Sequence, residues 1–209
     1  LKYIARCQIC GYTAPKPLGR CPDCGEWGAM VEEPLVAASD MGGGRSLGTG
    51  EDPRSVAEIA DAPEERFPTG LEEFDRVLGG GVVPGSLVLI GGEPGVGKST
   101  LLIQAANEVA RSIGPVLLVS GEESSRQVGL RARRLGTLAA ELFVLPEINI
   151  AEVVRRAEEM SPVLLIVDSI QTMFDEEISS APGSVSQVRE STGQLMRLAK
   201  RSSKPVFIV

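Results

Sequence analysis

Eight residues, Gly92-Glu93-Pro94-Gly95-Val96-Gly97-Lys98-Ser99, have the types and spacing of a loop that grips phosphate. The pattern is G-x-x-x-x-G-K-[ST]. Its glycines let the backbone curl until successive N–H groups point at phosphate oxygens, and the helix that follows adds its positive end. Lys98 is placed to reach the β- and γ-phosphates of a nucleoside triphosphate, and the Ser99 hydroxyl to hold Mg²⁺. Thr100 completes the candidate nucleotide-binding set. The flanks suit the motif. Leu87-Val88-Leu89-Ile90 reads as a buried strand leading in, and Leu101-Leu102-Ile103-Gln104-Ala105-Ala106 as a helix leading out.

Two further stretches carry carboxylates that such a site needs. Asp168 ends the run Val163-Leu164-Leu165-Ile166-Val167. A carboxylate at the C-terminal end of a sheet strand is the Walker B arrangement, which holds Mg²⁺ through water. The plainer reading is an Asp that caps the next helix. Glu122 and Glu123 follow Ser120-Gly121 at the end of another strand. Ligands of open α/β sheets bind at that edge. A carboxylate there orients or deprotonates the water that attacks the γ-phosphate, or it merely stabilises the next helix N-terminus. Position alone does not separate the two roles, nor the two residues.

A different chemistry stands near the start. Cys7-x-x-Cys10 and Cys21-x-x-Cys24 are the four cysteines, and ten residues separate the pairs. Four thiolates at this spacing close around one tetrahedral Zn²⁺. Gly11 and Gly25 follow the second cysteine of each pair, where a tight knuckle turns backbone N–H groups toward sulfur. Two disulfides are the alternative, disfavoured in a reducing compartment. Four cysteine ligands leave no open position, so the metal is structural. The segment has too few apolar residues to fold without it.

The elements that must position these groups follow from apolar runs. Residues 1–33 form the cysteine module. Residues 34–57, including Gly42-Gly43-Gly44, read as a flexible linker. The main domain occupies 58–209. Thr69-Gly70-Leu71-Glu72 has capping-box spacing before an amphipathic stretch to Leu78. Val116–Ser120, Leu142–Leu145, Val163–Asp168 and Pro205–Val209 read as further strands. Helices are predicted up to Ile113, over 123–135, from an Asn149 cap to Met160, and over 184–201. Strands that are continuous apolar runs, alternating with helices, predict a parallel sheet covered on both faces. Arg126, Arg131, Arg133 and Arg134 cluster on one helix; Arg189, Arg197, Lys200, Arg201 and Lys204 form a second basic group. Such runs are ordinarily solvated faces. The loop Asp175–Ser186 joins the Walker B strand to the last helix.

With 209 residues, 43% hydrophobic, the chain has room for one α/β domain and a small module. A net charge of −7 argues against a generally basic nucleic-acid coat, though not against a local groove. No run is long enough to span a membrane, and no signal-peptide pattern opens the chain, so a cytoplasmic location is expected. The Leu1 start and the apolar ending Pro205–Val209 lead us to expect a longer protein.

Together these stretches resemble a known family. A Cys-x-x-Cys-Gly and Cys-Pro-Asp-Cys-Gly-Glu-Trp ribbon precedes Thr-Gly-Leu-Glu-Glu-Phe-Asp-Arg-Val-Leu-Gly-Gly-Gly. The phosphate loop, Val-Ser-Gly-Glu-Glu-Ser and Val-Asp-Ser-Ile-Gln-Thr follow in order. This succession is similar to the bacterial RadA (Sms) family of DNA repair proteins, among the RecA-like ATPases. Pro17 departs from it, where an aromatic is usual. The resemblance implies a RecA-like P-loop NTPase core behind a four-cysteine zinc ribbon, with ATP, Mg²⁺ and Zn²⁺ as cofactors. It implies a hexameric ring of identical subunits that binds single-stranded or branched DNA. Such a ring hydrolyses ATP as a helicase-like or branch-migration motor in recombination, alongside the RecA recombinase. It singles out Glu122 as the water-activating carboxylate, with Lys98 and Asp168 beside it, and places Arg189 and the Asp175–Ser186 loop near DNA. The family continues past residue 209 with a Lys-Asn-Arg-Phe-Gly motif and a domain resembling that of the Lon protease. The competing readings are a KaiC-like ATPase acting as a signalling switch, and a nucleotide-dependent module whose ribbon recruits a partner.

Overall fold

Side chains alternate across the two central strands of the main domain, and the alternation builds its core. A computed structural model describes residues 2–35, 53, 55, 56 and 65–209. Most of the predicted 34–57 linker, and the start of the main domain at 58, lie outside them. In β5 (Val116–Ser120) and β7 (Leu164–Asp168) every apolar residue is buried. Leu117, Val119, Leu165 and Val167 face one side of the sheet, with α4 (Ile150–Met160) and α5 (Val185–Ser202) packed there. Val116, Leu118, Leu164 and Ile166 face the other side, against α2 (Lys98–Ser112) and α3 (Ser125–Leu135). A strand buried on both faces cannot alternate with polar residues, which is why these runs read as continuous.

The sheet has five parallel strands in the order β4-β8-β7-β5-β6, with β4 at Leu87–Leu89, β6 at Leu142–Pro146 and β8 at Val206–Ile208. Strand β8 therefore lies between the strand that feeds the phosphate loop and the strand that ends in Asp168. The predicted parallel sheet with helices on both faces is present. Coverage is incomplete at its rims: Leu89 of edge strand β4 is 68% exposed and Phe143 of β6 is 44% exposed.

Helix ends follow local chemistry. Ser124 caps α3, and Gln127 completes a capping box. Asn149 accepts from the N–H groups of Ala151 and Glu152 at the start of α4, as its spacing predicted. The box predicted at Thr69–Glu72 does not form. The short helix α1 (Glu72–Val77) begins after Leu71 with no side-chain cap. Asp75 instead reaches back to accept from Thr69 N–H at 2.7 Å, so Thr69, buried, anchors the preceding turn rather than the helix.

The cysteine segment makes a separate antiparallel sheet, in the order β2-β1-β3, from β1 (Lys2–Cys7), β2 (Thr13–Ala14) and β3 (Met30–Leu35). Its buried apolar residues are Ala5, Cys7, Ala14, Cys21 and Met30.

Candidate nucleotide and metal sites

The ribbon's two knuckles repeat one hydrogen-bond plan. Gly11 N–H donates to Cys7 O and Gly25 N–H to Cys21 O, each at 2.9 Å; Cys7 N–H donates to Tyr12 O and Cys21 N–H to Glu26 O, each at 2.8 Å. This brings all four sulfurs within 4.8 Å of one another. Cys7 and Cys24 sulfurs are 3.6 Å apart, Cys10 and Cys21 sulfurs 3.5 Å. A disulfide needs about 2.05 Å, whereas tetrahedral zinc at about 2.3 Å from each sulfur sets neighbouring sulfurs about 3.8 Å apart. The donor set fits zinc and not two disulfides. The thiols are also unequal. Backbone N–H donation from Cys10 brings the Cys7 thiol down to about 7, against the cost of burial. At Cys10 the N–H of Tyr12 pulls down, but burial and the three other thiols outweigh it and push the group up to about 12. Four thiolates this close require a cation to balance them.

In the main domain, parallel register brings four strand ends to one edge. Leu89 pairs with Ile208 and Ile208 with Val167, while Ser120 pairs with Asp168. The phosphate loop leaves this edge after Ile90, whose N–H donates to Ile208 O at 2.8 Å. Gly92, Glu93, Pro94, Gly95, Val96 and Gly97 form an exposed turn. Gly97 (φ +102°) is the N-cap of α2 and supplies no side-chain cap, unlike Ser124, Asn149 and Ser184 on α3, α4 and α5. A Cβ added at Gly95 or Gly97 would meet nothing within 4 Å. Open space before uncapped N–H groups is a cradle that fits an anion. Lys98 Nζ donates to Gly92 O at 2.8 Å and Glu93 O at 3.0 Å, its ammonium folded over the loop. Ser99 and Thr100 are half-buried in the first turn of α2. Asp168 is half-buried at the end of β7, on the edge the loop leaves; hydroxyl and carboxylate oxygens are the ligand types a hard divalent cation takes.

The adjacent glutamates part company. Glu123 turns to α3: its N–H donates to Ser120 Oγ at 3.2 Å, and its carboxylate pairs with Arg131 at 3.1 Å. Glu122 is exposed and lies against the turn after Asp168, where Ser169 Oγ donates to its Oε1 at 3.3 Å. That contact was not anticipated from sequence, because 47 positions separate the partners.

The predicted basic clusters are partly consumed by ion pairs: Arg131 with Glu123, Arg197 with Glu190 at 2.7 Å, Arg201 with Glu158 at 3.5 Å. Arg189 is exposed on α5. The Asp175–Ser186 loop ahead of it is tied down by Gln187, fully buried. Its Nε2 donates to the carbonyls of Asp175, Ile178 and Ser180, and its Oε1 accepts from Asp175 N–H. Asp175 in turn accepts from Gln194 at 2.6 Å.

Two stretches of the chain match known families. Residues 53–209 match the family described as AAA domain, and residues 6–32 match the rubredoxin metal binding domain. The chain is 50% identical over 206 residues to a Bacillus subtilis protein named DNA repair protein RadA, covering 97% of this chain and 45% of that protein. It is 46% identical over 210 residues to the Pseudomonas aeruginosa protein of the same name, covering 100% and 46%. The chain thus spans about half the length of the curated relatives it matches.

Proposed function

We propose that this chain, which belongs to the AAA-domain family, carries the nucleotide site of an ATP-driven DNA repair motor. One observation carries the reading: an uncapped helix N-terminus behind Gly97 opens on the sheet edge where Asp168 ends β7 and Glu122 follows the end of β5. Gly92 to Gly97 wrap the phosphates with backbone N–H groups. Lys98 exchanges its loop carbonyls for phosphate oxygens. Ser99 and Asp168 hold Mg²⁺, which supplies charge neutralisation on the phosphates. Glu122 orients the attacking water, while Glu123 is occupied by Arg131. Cys7, Cys10, Cys21 and Cys24 hold a structural zinc.

The proposed organisation is a ribbon at 1–33, a linking segment at 34–57 and an ATPase core at 58–209. The relatives' name supports work on DNA, and we extend it to single-stranded or branched DNA in recombination beside a RecA recombinase. Arg189 is the candidate backbone contact, in a homo-hexameric ring in the cytoplasm. Among the described residues no helix is long and apolar enough to cross a membrane. The KaiC-like switch is not favoured, since the relatives reported above are named for DNA repair. The test is ATP hydrolysis by the full-length protein with and without single-stranded DNA, with Lys98→Ala as the blank. A several-fold rise that depends on DNA and vanishes in the blank supports the motor. Hydrolysis indifferent to DNA refutes it.

A further inference from the structure

We propose that Ser169 is a positioning residue for Glu122, holding one carboxylate oxygen so that the other meets the attacking water. The proposal rests on reading Glu122 as the water-orienting group. Ser169 directly follows the metal-side carboxylate Asp168 and is buried, 7% exposed. A buried hydroxyl beside a carboxylate donates to it rather than remain unpaired. Here the acceptor is Glu122 Oε1. The other oxygen, Oε2, makes no hydrogen bond among the described residues, so it is free for water. At 3.3 Å the bond is longer than a typical O–H···O contact. It narrows the rotamers of an otherwise exposed glutamate without withdrawing the carboxylate from solvent.

The platform under Ser169 is pinned on several sides. Gly121 N–H donates to Asp168 O at 2.9 Å, so the strand end that carries Glu122 is bonded to the turn that carries Ser169. Thr172 Oγ1 donates to Ser169 O at 2.8 Å, and Thr172 N–H to the same oxygen at 3.2 Å. Ile170 N–H donates to Val209 O at 2.9 Å. Thr172 also covers Gly121: a Cβ there would stand 2.7 Å from Thr172 Cβ and closer still to its hydroxyl. Ser169 and Glu122 therefore meet through two segments fixed to each other. Glu123, one residue on, has no such partner and points its carboxylate at Arg131. The stretch Asp168-Ser169-Ile170-Gln171-Thr172 thus serves both carboxylates of the site, Asp168 as part of itself and Glu122 through one hydroxyl.

The experiment uses the full-length protein and compares Ser169→Ala, Ser169→Thr, Glu122→Gln and the Ser169→Ala/Glu122→Gln double variant. Steady-state hydrolysis, ATP affinity and the Mg²⁺ requirement are measured for each, with thermal melting as the check on folding. Ser169→Ala is expected to lower kcat roughly ten-fold, as loss of a positioning hydrogen bond does. KM for ATP and half-saturation by Mg²⁺ should not change. Ser169→Thr, which keeps a hydroxyl, should recover most of the rate. In the Glu122→Gln background Ser169→Ala should cost nothing further. An unchanged kcat in Ser169→Ala, with Glu122→Gln impaired, overturns the positioning role alone. A raised Mg²⁺ requirement or weakened ATP affinity in Ser169→Ala also overturns it, because Ser169 would then act through Asp168 or the fold. Wild-type hydrolysis by Glu122→Gln removes the reading of Glu122 and this proposal with it.

Discussion

The cysteine ribbon and the phosphate loop both use glycine with positive φ to turn backbone N–H groups toward concentrated negative charge. In the ribbon Gly11 and Gly25 (φ +77° and +76°) close knuckles around sulfur. In the core Gly95 and Gly97 (φ +79° and +102°) open a cradle for phosphate. What stands behind the loops differs. Behind the ribbon lie five small or medium buried side chains. Behind the phosphate loop lie two apolar layers, one on each face of a five-stranded sheet. One region is held together by its ligand; the other holds its ligand from a scaffold that is already folded. Structural zinc supplies about 10–16 kcal/mol to such modules, as much as the whole net stability of a typical domain, about 5–15 kcal/mol.

Crossed substitutions separate the two most strongly. Lys98→Ala should cut ATP hydrolysis by roughly a hundred-fold or more, as loss of a charge-stabilising donor does, while leaving zinc content and melting unchanged. Cys24→Ser should take zinc from one per chain to none and open residues 2–35 to protease, with ATP affinity retained. Retained zinc in Cys24→Ser, or lost nucleotide binding with it, breaks the division.

Acid sharpens the same contrast with a smaller effect. Protons compete with zinc for thiolates, so the ribbon should release metal to a chelator as pH falls below the thiol range. The core has acid-resistant ion pairs. On α4 the hydrogen bonds from Arg155 and then Arg156 hold Glu152 down at about 2, against 4.5 for a free glutamate. A folded-state value below the unfolded one means this contribution is present above about 4.5 and disappears as pH falls toward about 2. Melting of the core should therefore fall between those values, and Glu152→Gln should remove that part of the slope. Zinc release is expected at the higher pH. Loss of the core before the metal would contradict the ordering.

Much of this was legible in residue order because the signals are local. The phosphate loop, the paired cysteines and the runs ending in Ser120 and Asp168 each announce themselves within ten residues. Edge position was not legible: Leu142–Leu145 and Leu87–Ile90 are as apolar as β5, and only the strand order leaves them half uncovered. Thr69–Glu72 misled because Asp75, outside the four-residue pattern, competes for the Thr69 N–H. The glutamate pair was ambiguous because the groups that part them lie elsewhere, Arg131 two helical turns on and Ser169 just past the end of the neighbouring strand. Gln187 gave no signal at all. A glutamine in a polar helix looks solvated until the loop it ties is folded over it.

The most direct measurement is ATP hydrolysis by full-length Glu122→Gln and Glu123→Gln on single-stranded DNA, with ATP binding followed in parallel. Glu122→Gln should bind ATP and scarcely hydrolyse it, while Glu123→Gln should keep most of its rate. Equal rates in the two variants, or loss confined to Glu123→Gln, would contradict the water-orienting role of Glu122.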